Sequence, residues 1–480
     1  MKLSAFNLYI DDYPTPGATL VHNTFSGAYV VLERTVLEAL CRVDRGELAG
    51  EEVTGGGDLD VVAELADPDV GILVTSHCEE ERAYKDWFEW KRSRCTLQSI
   101  VGINLACNFD CPYCCQAGIM DGSVMSPEVA EQTADWLATR ALEIAAEAAH
   151  VVFVGGEPLL HVDRIKTLVA RLRARVEPSG VPVTIGLITN GYFLDEEMVS
   201  ELLPYGLTVA SVTLDGDETT HHLTRVSRKG ENTFSRIFAN VVAASRRLRI
   251  NINGNYQQNT VTGFGPLIDK LAAAGMPLDT KITFSPALEA LAAPSGSGSG
   301  TCTWGAAAAG HRVALHDRIL GHGFTTASLD VIGPCGFHER HLYVVDHQGN
   351  LFKCPGFLGH PDWRIGHIRT GLGARYDELL QISTGGQCSG CAHQPACAGG
   401  CVAHEMLRTG STQAVNCELE YFETVARDAL PRGYLLATHD DVKSAVAKFP
   451  PSSLKHSNDL ASVNHETSRN GRRVPGLQVL

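Results

Sequence analysis

Through the middle of this chain, short apolar runs alternate with helix-length amphipathic stretches. Residues 97–105, 150–154, 183–188, 207–214, 250–255 and 281–285 are rich in Val, Ile, Leu and Phe, and read as strands. The stretches between them carry apolar residues at helical spacing. The best-marked helix is expected over 127–149. Ser126 suits the N-cap, Pro127 the first helical position, and Glu128 complements the helix dipole. Such alternation predicts six strand–helix units on a parallel sheet with right-handed crossovers. One strand has a further pattern: Asn251, Asn253 and Asn255 share a face. That face turns to a cavity, as the wall of a substrate site or as a hydrated layer.

The flanks have a different texture. Residues 1–95 read as a small separate unit, with strands at 7–10, 19–23 and 26–32, helices at 33–43 and 61–65, and a strand at 70–74. Residues 291–330 begin with a Gly/Ser-rich stretch and read as a linker or bridging region. Residues 331–430 form a cysteine-rich unit, and 431–480 a terminal helix followed by a polar tail without periodicity, expected to be disordered.

Composition narrows the classes. A formal charge of -15 and no basic stripe argue against nucleic acid as a partner. The start lacks a signal sequence, and no apolar run reaches the length of a membrane span, so a cytoplasmic location is expected. Fifteen Cys in such a chain argue for metal ligation rather than disulfides.

The first cysteine group is Cys107, Cys111 and Cys114, a C-x3-C-x2-C loop after the apolar run 97–105. Three soft thiolates so close together read as ligands for an iron–sulfur cluster or zinc. Three, not four, would leave one iron of a [4Fe–4S] cube open; Cys115 is a rival ligand. At the end of the next strand stands Gly155-Gly156-Glu157-Pro158. Glycines there let the backbone approach a ligand closely and use φ > 0.

Together these motifs resemble the radical S-adenosylmethionine (SAM) enzymes. The resemblance implies a partial (β/α)6 barrel, active groups at the carboxyl ends of its strands, and a [4Fe–4S] cluster whose open iron chelates SAM. An electron then cleaves the sulfonium to a 5′-deoxyadenosyl radical. It implies that Tyr113 and Gly155, Gly156, Glu157 and Pro158 contact the cofactor. Ser211, Asp215 and Arg225 match the family's strand-four region, which contacts the SAM ribose and carboxylate. His221 and His222 are expected to be exposed loop residues, and no catalytic residue is assigned.

A second constellation comprises Cys335, Cys354, Cys388, Cys391, Cys397, Cys401 and Cys417. Its spacing, C-x13-G-x4-C, then C-x2-C-x5-C-x3-C, then C, includes a hairpin signal at Asp346–Asn350 with Gly349 in the turn. Taken alone it also fits a pair of zinc sites. It resembles the SPASM domain of a subset of radical SAM enzymes. That resemblance implies two auxiliary [4Fe–4S] clusters, a nearer one on Cys335, Cys354 and Cys401, and a farther one on Cys388, Cys391, Cys397 and Cys417. The nearer one either recruits Cys302 or keeps an open iron.

SPASM enzymes act mainly on peptides or proteins. The expected activity is therefore an oxidoreductase that matures a ribosomally made precursor peptide, installing a thioether or carbon–carbon crosslink. Residues 1–95 weakly resemble the winged-helix element that grips a leader peptide, and otherwise read as a structural cap. An external reductant such as flavodoxin or ferredoxin is implied. The alternative is a formylglycine-generating maturase of sulfatases. That group commonly has Asp just after the second SPASM Cys, where this chain has Pro355.

Overall fold

The computed structural model describes residues 1–50, 53, 61–114, 116–257, 259–286, 305–331, 333–382, 386–412, 415–453 and 478–479. Cys115, Cys302 and the Gly/Ser-rich stretch lie outside the described residues, as does most of the terminal tail.

The N-terminal unit opens with three antiparallel strands, β1 (Asn7–Asp11), β2 (Ala18–Asn23) and β3 (Tyr29–Glu33). One face, with Val21, Val30 and Leu32, buries against Val36, Leu37 and Leu40 of the helix Arg34–Asp44. The alternation of the strands gives the sheet a second apolar face, Ala18, Leu20 and Val31. Leu430, Tyr434 and Leu435 cover it. These belong to the helix Leu419–Thr438, so this helix runs through the boundary expected at 430/431 and ties the two ends of the chain together. The expected strand at 70–74 shortens to Leu73–Val74, paired with Lys2–Leu3. In the tail, Gln478–Val479 pairs with Val30–Val31.

The helix His77–Arg92, capped by Ser76, leads into the central sheet. Six parallel strands follow: β4 (Thr96–Gly102), β5 (Ala148–Val154), β6 (Val183–Thr189), β7 (Leu207–Thr213), β8 (Arg249–Tyr256) and β9 (Lys281–Pro286). They lie side by side in sequence order. Their helices pack Leu, Ile, Val and Phe against one face in the largest core of the molecule. This is the open (β/α)6 arrangement expected from the pattern. Ser126 caps the helix Pro127–Glu143, accepting from Val129 N at 3.1 Å. That helix stops short of its expected end, because Ala145 turns to positive φ and Glu147 N bonds Cys95 O.

The sheet continues past β4. The strand β10 (Leu342–Val345) adds in parallel to it, and β11 (Asn350–Phe352) returns antiparallel. The turn between them is the expected one: Asp346 Oδ1 accepts from Gln348 N and Asn350 N, and Gly349 has φ 89°. The cysteine-rich unit is therefore built onto the edge of the barrel sheet. Within 291–330, the region expected as a linker, the described part is 305–330, which opens with a helix, Gly305–Gly321. Val313 packs against Tyr421 and Phe422, and Arg312 bonds Tyr421 Oη, so it is core rather than spacer.

Candidate active site: a thiol loop locked to a Gly-Gly strand end

The first thiol loop leaves β4 at its carboxyl end and is zipped to the loop after β5. Gly156 N donates to Asn104 O at 3.1 Å, and Glu157 N to Ala106 O at 2.8 Å. The Asn104 side chain adds Nδ2 to Glu157 O at 2.9 Å. A Cβ on Gly155 would stand 2.8 Å from Asn104 O, and one on Gly156 would run into Ala106 O. Neither glycine takes a positive φ. The expectation that φ > 0 explains them is corrected: what requires glycine here is the close approach of the thiol loop.

Glu157 and Pro158 are buried, and Asp215 is 0 % exposed. Glu157 Oε1 accepts from Thr189 Oγ1 at 2.7 Å and Leu159 N at 3.1 Å, and Oε2 from Asn190 N at 2.8 Å. Its carboxylate is thus a strut between the ends of β5 and β6. Burial pushes this carboxyl up, against the pull of its three donors. Asn190 in turn donates to Asn108 Oδ1 at 2.7 Å, with Cys107 Sγ at 4.0 Å. Asn104, Asn108, Thr189 and Asn190 were not singled out from the sequence. The available signal was a polar residue at the end of an apolar run.

Asp215 organises the opposite side. It accepts from Tyr113 Oη, from Thr224 Oγ1 at 3.1 Å and from Asn255 N at 2.7 Å. Arg225 Nη1 donates to Tyr113 Oη at 3.2 Å, and its guanidinium lies 5.3 Å from the Phe109 ring centroid. Burial works against the Arg225 charge, but Tyr113, Cys111 and Asp215 outweigh it and hold the guanidinium charged. His221 is 0 % exposed in the short helix Glu218–Thr224, with Nδ1 facing Asp215 N at 3.4 Å. The exposed-loop expectation for His221 and His222 is corrected: the helix capped by Asp217 folds both against the barrel, leaving Nε2 of each buried without a partner.

The three thiols are partly exposed and act on one another: Cys107 feels Cys114, and Cys111 feels both. Burial raises Cys107 and pushes Cys111 up to about 11. Without a ligand these would be protonated thiols, and iron would have to displace the protons. Among the described residues, no three His, Cys, Asp or Glu side chains close in tightly enough for one metal ion. A cubane spreads its thiolates wider than a single ion does. Arg225 Nε is buried with no acceptor, and a ligand carboxylate would supply one. The donor set fits a cluster carrying an amino-acid ligand. Gly155, Gly156, Tyr113, Ser211 and Arg225 are partly exposed, whereas Glu157, Pro158 and Asp215 are buried. The Asn face of β8 is half-buried, in register with Ser211 and Thr213 on β7 and Thr283 and Ser285 on β9.

Residues 103–259, from the start of the thiol loop to β8, match the radical SAM superfamily. The barrel is a radical SAM domain. Among curated relatives, the serine-type anaerobic sulfatase-maturating enzyme of Klebsiella aerogenes is 23 % identical over 332 residues, 63 % of this chain and 78 % of its own. A structure of anSMEcpe with AdoMet and the Kp18Cys peptide superposes at TM-score 0.56 and 18 % identity, over 71 % of this chain and 99 % of that one. Streptococcus suis SuiB with S-adenosylmethionine gives 0.50 at 14 % identity, over 87 % of this chain and 99 % of SuiB. The wider match must reach into residues 1–95, since 96–480 is only about four-fifths of the sequence. A radical SAM domain implies a [4Fe–4S] cluster and SAM.

The second thiol constellation falls into two neighbourhoods. Cys335 feels Cys401, and Lys353 feels both Cys335 and Cys354. Cys388 feels Cys391 and Cys417, and Cys397 feels Cys388 and Cys391. Burial pushes Cys397 up to about 12. The chain crosses itself tightly here: Gly400 has φ +71°, and a Cβ on it would run into Asn416 O, beside Cys417. The Gly400→Ala variant is therefore expected to lose iron from the Cys388 group while still cleaving SAM. Iron analysis paired with 5′-deoxyadenosine assay checks this; full iron content would contradict it.

Among the described residues no helix is long and apolar enough to cross a membrane.

Proposed function

We propose that this chain is a cytoplasmic maturase of a ribosomally made peptide, which removes a hydrogen from its substrate and installs a thioether or carbon–carbon crosslink. The observation that carries the reading is the thiol loop locked to the Gly-Gly strand end, facing a barrel wall of uncharged hydrogen-bonding side chains. When bound, the cluster and SAM supply a 5′-deoxyadenosyl radical. The chain's own residues position: Arg225 offers its orphan N–H to a carboxylate, Gly155 and Gly156 hold the thiol loop in place, and Ser211 and the Asn face present polar groups to a substrate. The two neighbourhoods of the second constellation hold auxiliary [4Fe–4S] clusters, and flavodoxin or ferredoxin delivers electrons. Residues 1–95 recognise the leader; the fold match that extends into them supports this.

A second reading, oxidation of a serine or cysteine to formylglycine, is favoured by the name of the curated relative. Pro355 after Cys354 speaks against it. Both crosslinking and serine oxidation remove two hydrogens, so mass alone does not separate them. Anaerobic incubation with SAM should be run on two peptides, the precursor encoded nearest the gene and a serine peptide of sulfatase sequence. Crosslinking predicts a modified precursor, inert to an aminooxy probe, with linked fragments in tandem mass spectra. An aminooxy-reactive sulfatase peptide would transfer the proposal to the second reading.

A further inference from the structure

A cavity of about 200 Å³ lies where the end of β4, the stretch after the thiol loop and the β10–β11 turn meet. Leu105, Ile119, Phe352 and Leu358 give it apolar walls, and His347 and Arg364 stand among its polar groups. The loop after Cys354 closes one side. A Cβ on Gly359, which has φ +85°, would stand 2.6 Å from Ile119 Cγ2, so the two walls meet there in close contact.

Strand register fixes which side of the sheet the cavity is on. Phe352 pairs with Val344, Val344 with Ile100, Ile100 with Val152, Val152 with Gly186, and Gly186 with Val209. Ser211, two residues on, pairs with Asn251. Paired residues and their second neighbours share a face. Phe352 and Gly102 therefore lie on the side that carries Ser211 and the Asn face of β8. Gly155 bounds the cavity as well, whereas Tyr113, Ser211 and Arg225 do not line it. It stands beside the place of SAM, on the substrate side of the sheet.

Size and chemistry narrow the occupant. At about 200 Å³ the cavity is smaller than the roughly 300–1,000 Å³ that encloses a whole small molecule, and suits one large side chain. Apolar walls among hydrogen-bonding groups fit a peptide, with its side chain inside and its backbone at the mouth. His347 Nε2 is buried without a partner, and Arg364 commits Nη1 to Asn350 Oδ1 at 2.9 Å. His347 Nε2 and the other N–H groups of Arg364 can bond a peptide backbone. We propose that this cavity is a specificity pocket that takes one large apolar side chain of the precursor peptide and so places the reacting residue over the Asn face. The inference rests on the peptide-maturase reading above and adds to it the part of the chain that selects the substrate.

The test uses anaerobically reconstituted full-length enzyme with SAM, and as probe a fluorescently labelled form of the precursor encoded nearest the gene. Gly102→Leu and Leu358→Trp fill the cavity from opposite walls. A Cβ on Gly102 would stand 3.5 Å from Val345 O, an ordinary contact, so the strand accepts it. Both variants are expected to keep their iron and the SAM-induced EPR change, and to bind the precursor about tenfold more weakly by anisotropy, seen in turnover as a raised KM with kcat little changed. In the wild type, replacing the precursor's large apolar residues with Ala one at a time is expected to reveal one position with a loss of about the same size. That loss should vanish in Leu358→Trp, because the pocket is already filled. Unchanged precursor affinity in a variant that loads iron overturns the proposal, and so does a loss that simply adds to that of Leu358→Trp. Loss of the SAM-induced change at full iron would assign the cavity to the cofactor and overturn it too. If neither variant loads, the Ala series on wild type decides, and no sensitive apolar position overturns the proposal. Wild-type enzyme that neither binds nor modifies the precursor would instead refute the peptide-maturase reading, and the pocket's role with it.

Discussion

The Cys107→Ala variant is expected to yield no 5′-deoxyadenosine above background when reduced with SAM present, and to bind about four fewer iron atoms per chain than wild type. Two thiolates remain, too few to hold a cubane at this loop. The fold survives, because Cys107 is only partly buried and accepts just one backbone donor, Phe109 N at 3.4 Å. Losing such a contact costs about 1 kcal/mol. Circular dichroism should therefore match wild type while turnover vanishes. Retained 5′-deoxyadenosine would remove Cys107 from the cluster.

Glu157→Leu has the largest expected effect on stability. The carboxylate serves three donors, Thr189 Oγ1, Asn190 N and Leu159 N, at a residue that is 0 % exposed. Leucine leaves those donors buried and unanswered, at about 1–3 kcal/mol each. The expected loss is on the order of 4 kcal/mol, with the discount for partial relaxation included. Glu157→Gln retains one acceptor oxygen and should lose less than half of that. Denaturant unfolding of the metal-free proteins measures both. A Leu variant as stable as wild type would show that Glu157 faces a ligand instead of bracing β5 against β6.

What could be read from the sequence and what could not divide by sequence separation. The thiol loop and the Gly-Gly-Glu-Pro end are local patterns at strand ends, so spacing alone located them. The turn at Gly349 was legible for the same reason. The networks around them are not local: Tyr113 and Asp215 meet across 102 residues, and Asn190 reaches Asn108 across 82. His221 reads as loop because two adjacent histidines carry no apolar period, yet the Asp217 cap folds that turn against the barrel. The reason for Gly155 and Gly156 was also invisible, since only the folded chain shows Asn104 lying against the first and Ala106 against the second. Residues 305–321 are Ala- and Gly-rich beside a Gly/Ser stretch, and their helix is fixed by packing on Leu419–Thr438 rather than by a pattern of their own.

The most direct test of the central claim is the EPR spectrum of the reduced, anaerobically reconstituted wild-type protein before and after SAM is added, with 5′-deoxyadenosine quantified in the same sample. A SAM-induced change in the cubane signal together with 5′-deoxyadenosine is the predicted result. Protein that takes up zinc in place of iron, or a signal indifferent to SAM with the sulfonium intact, would contradict it.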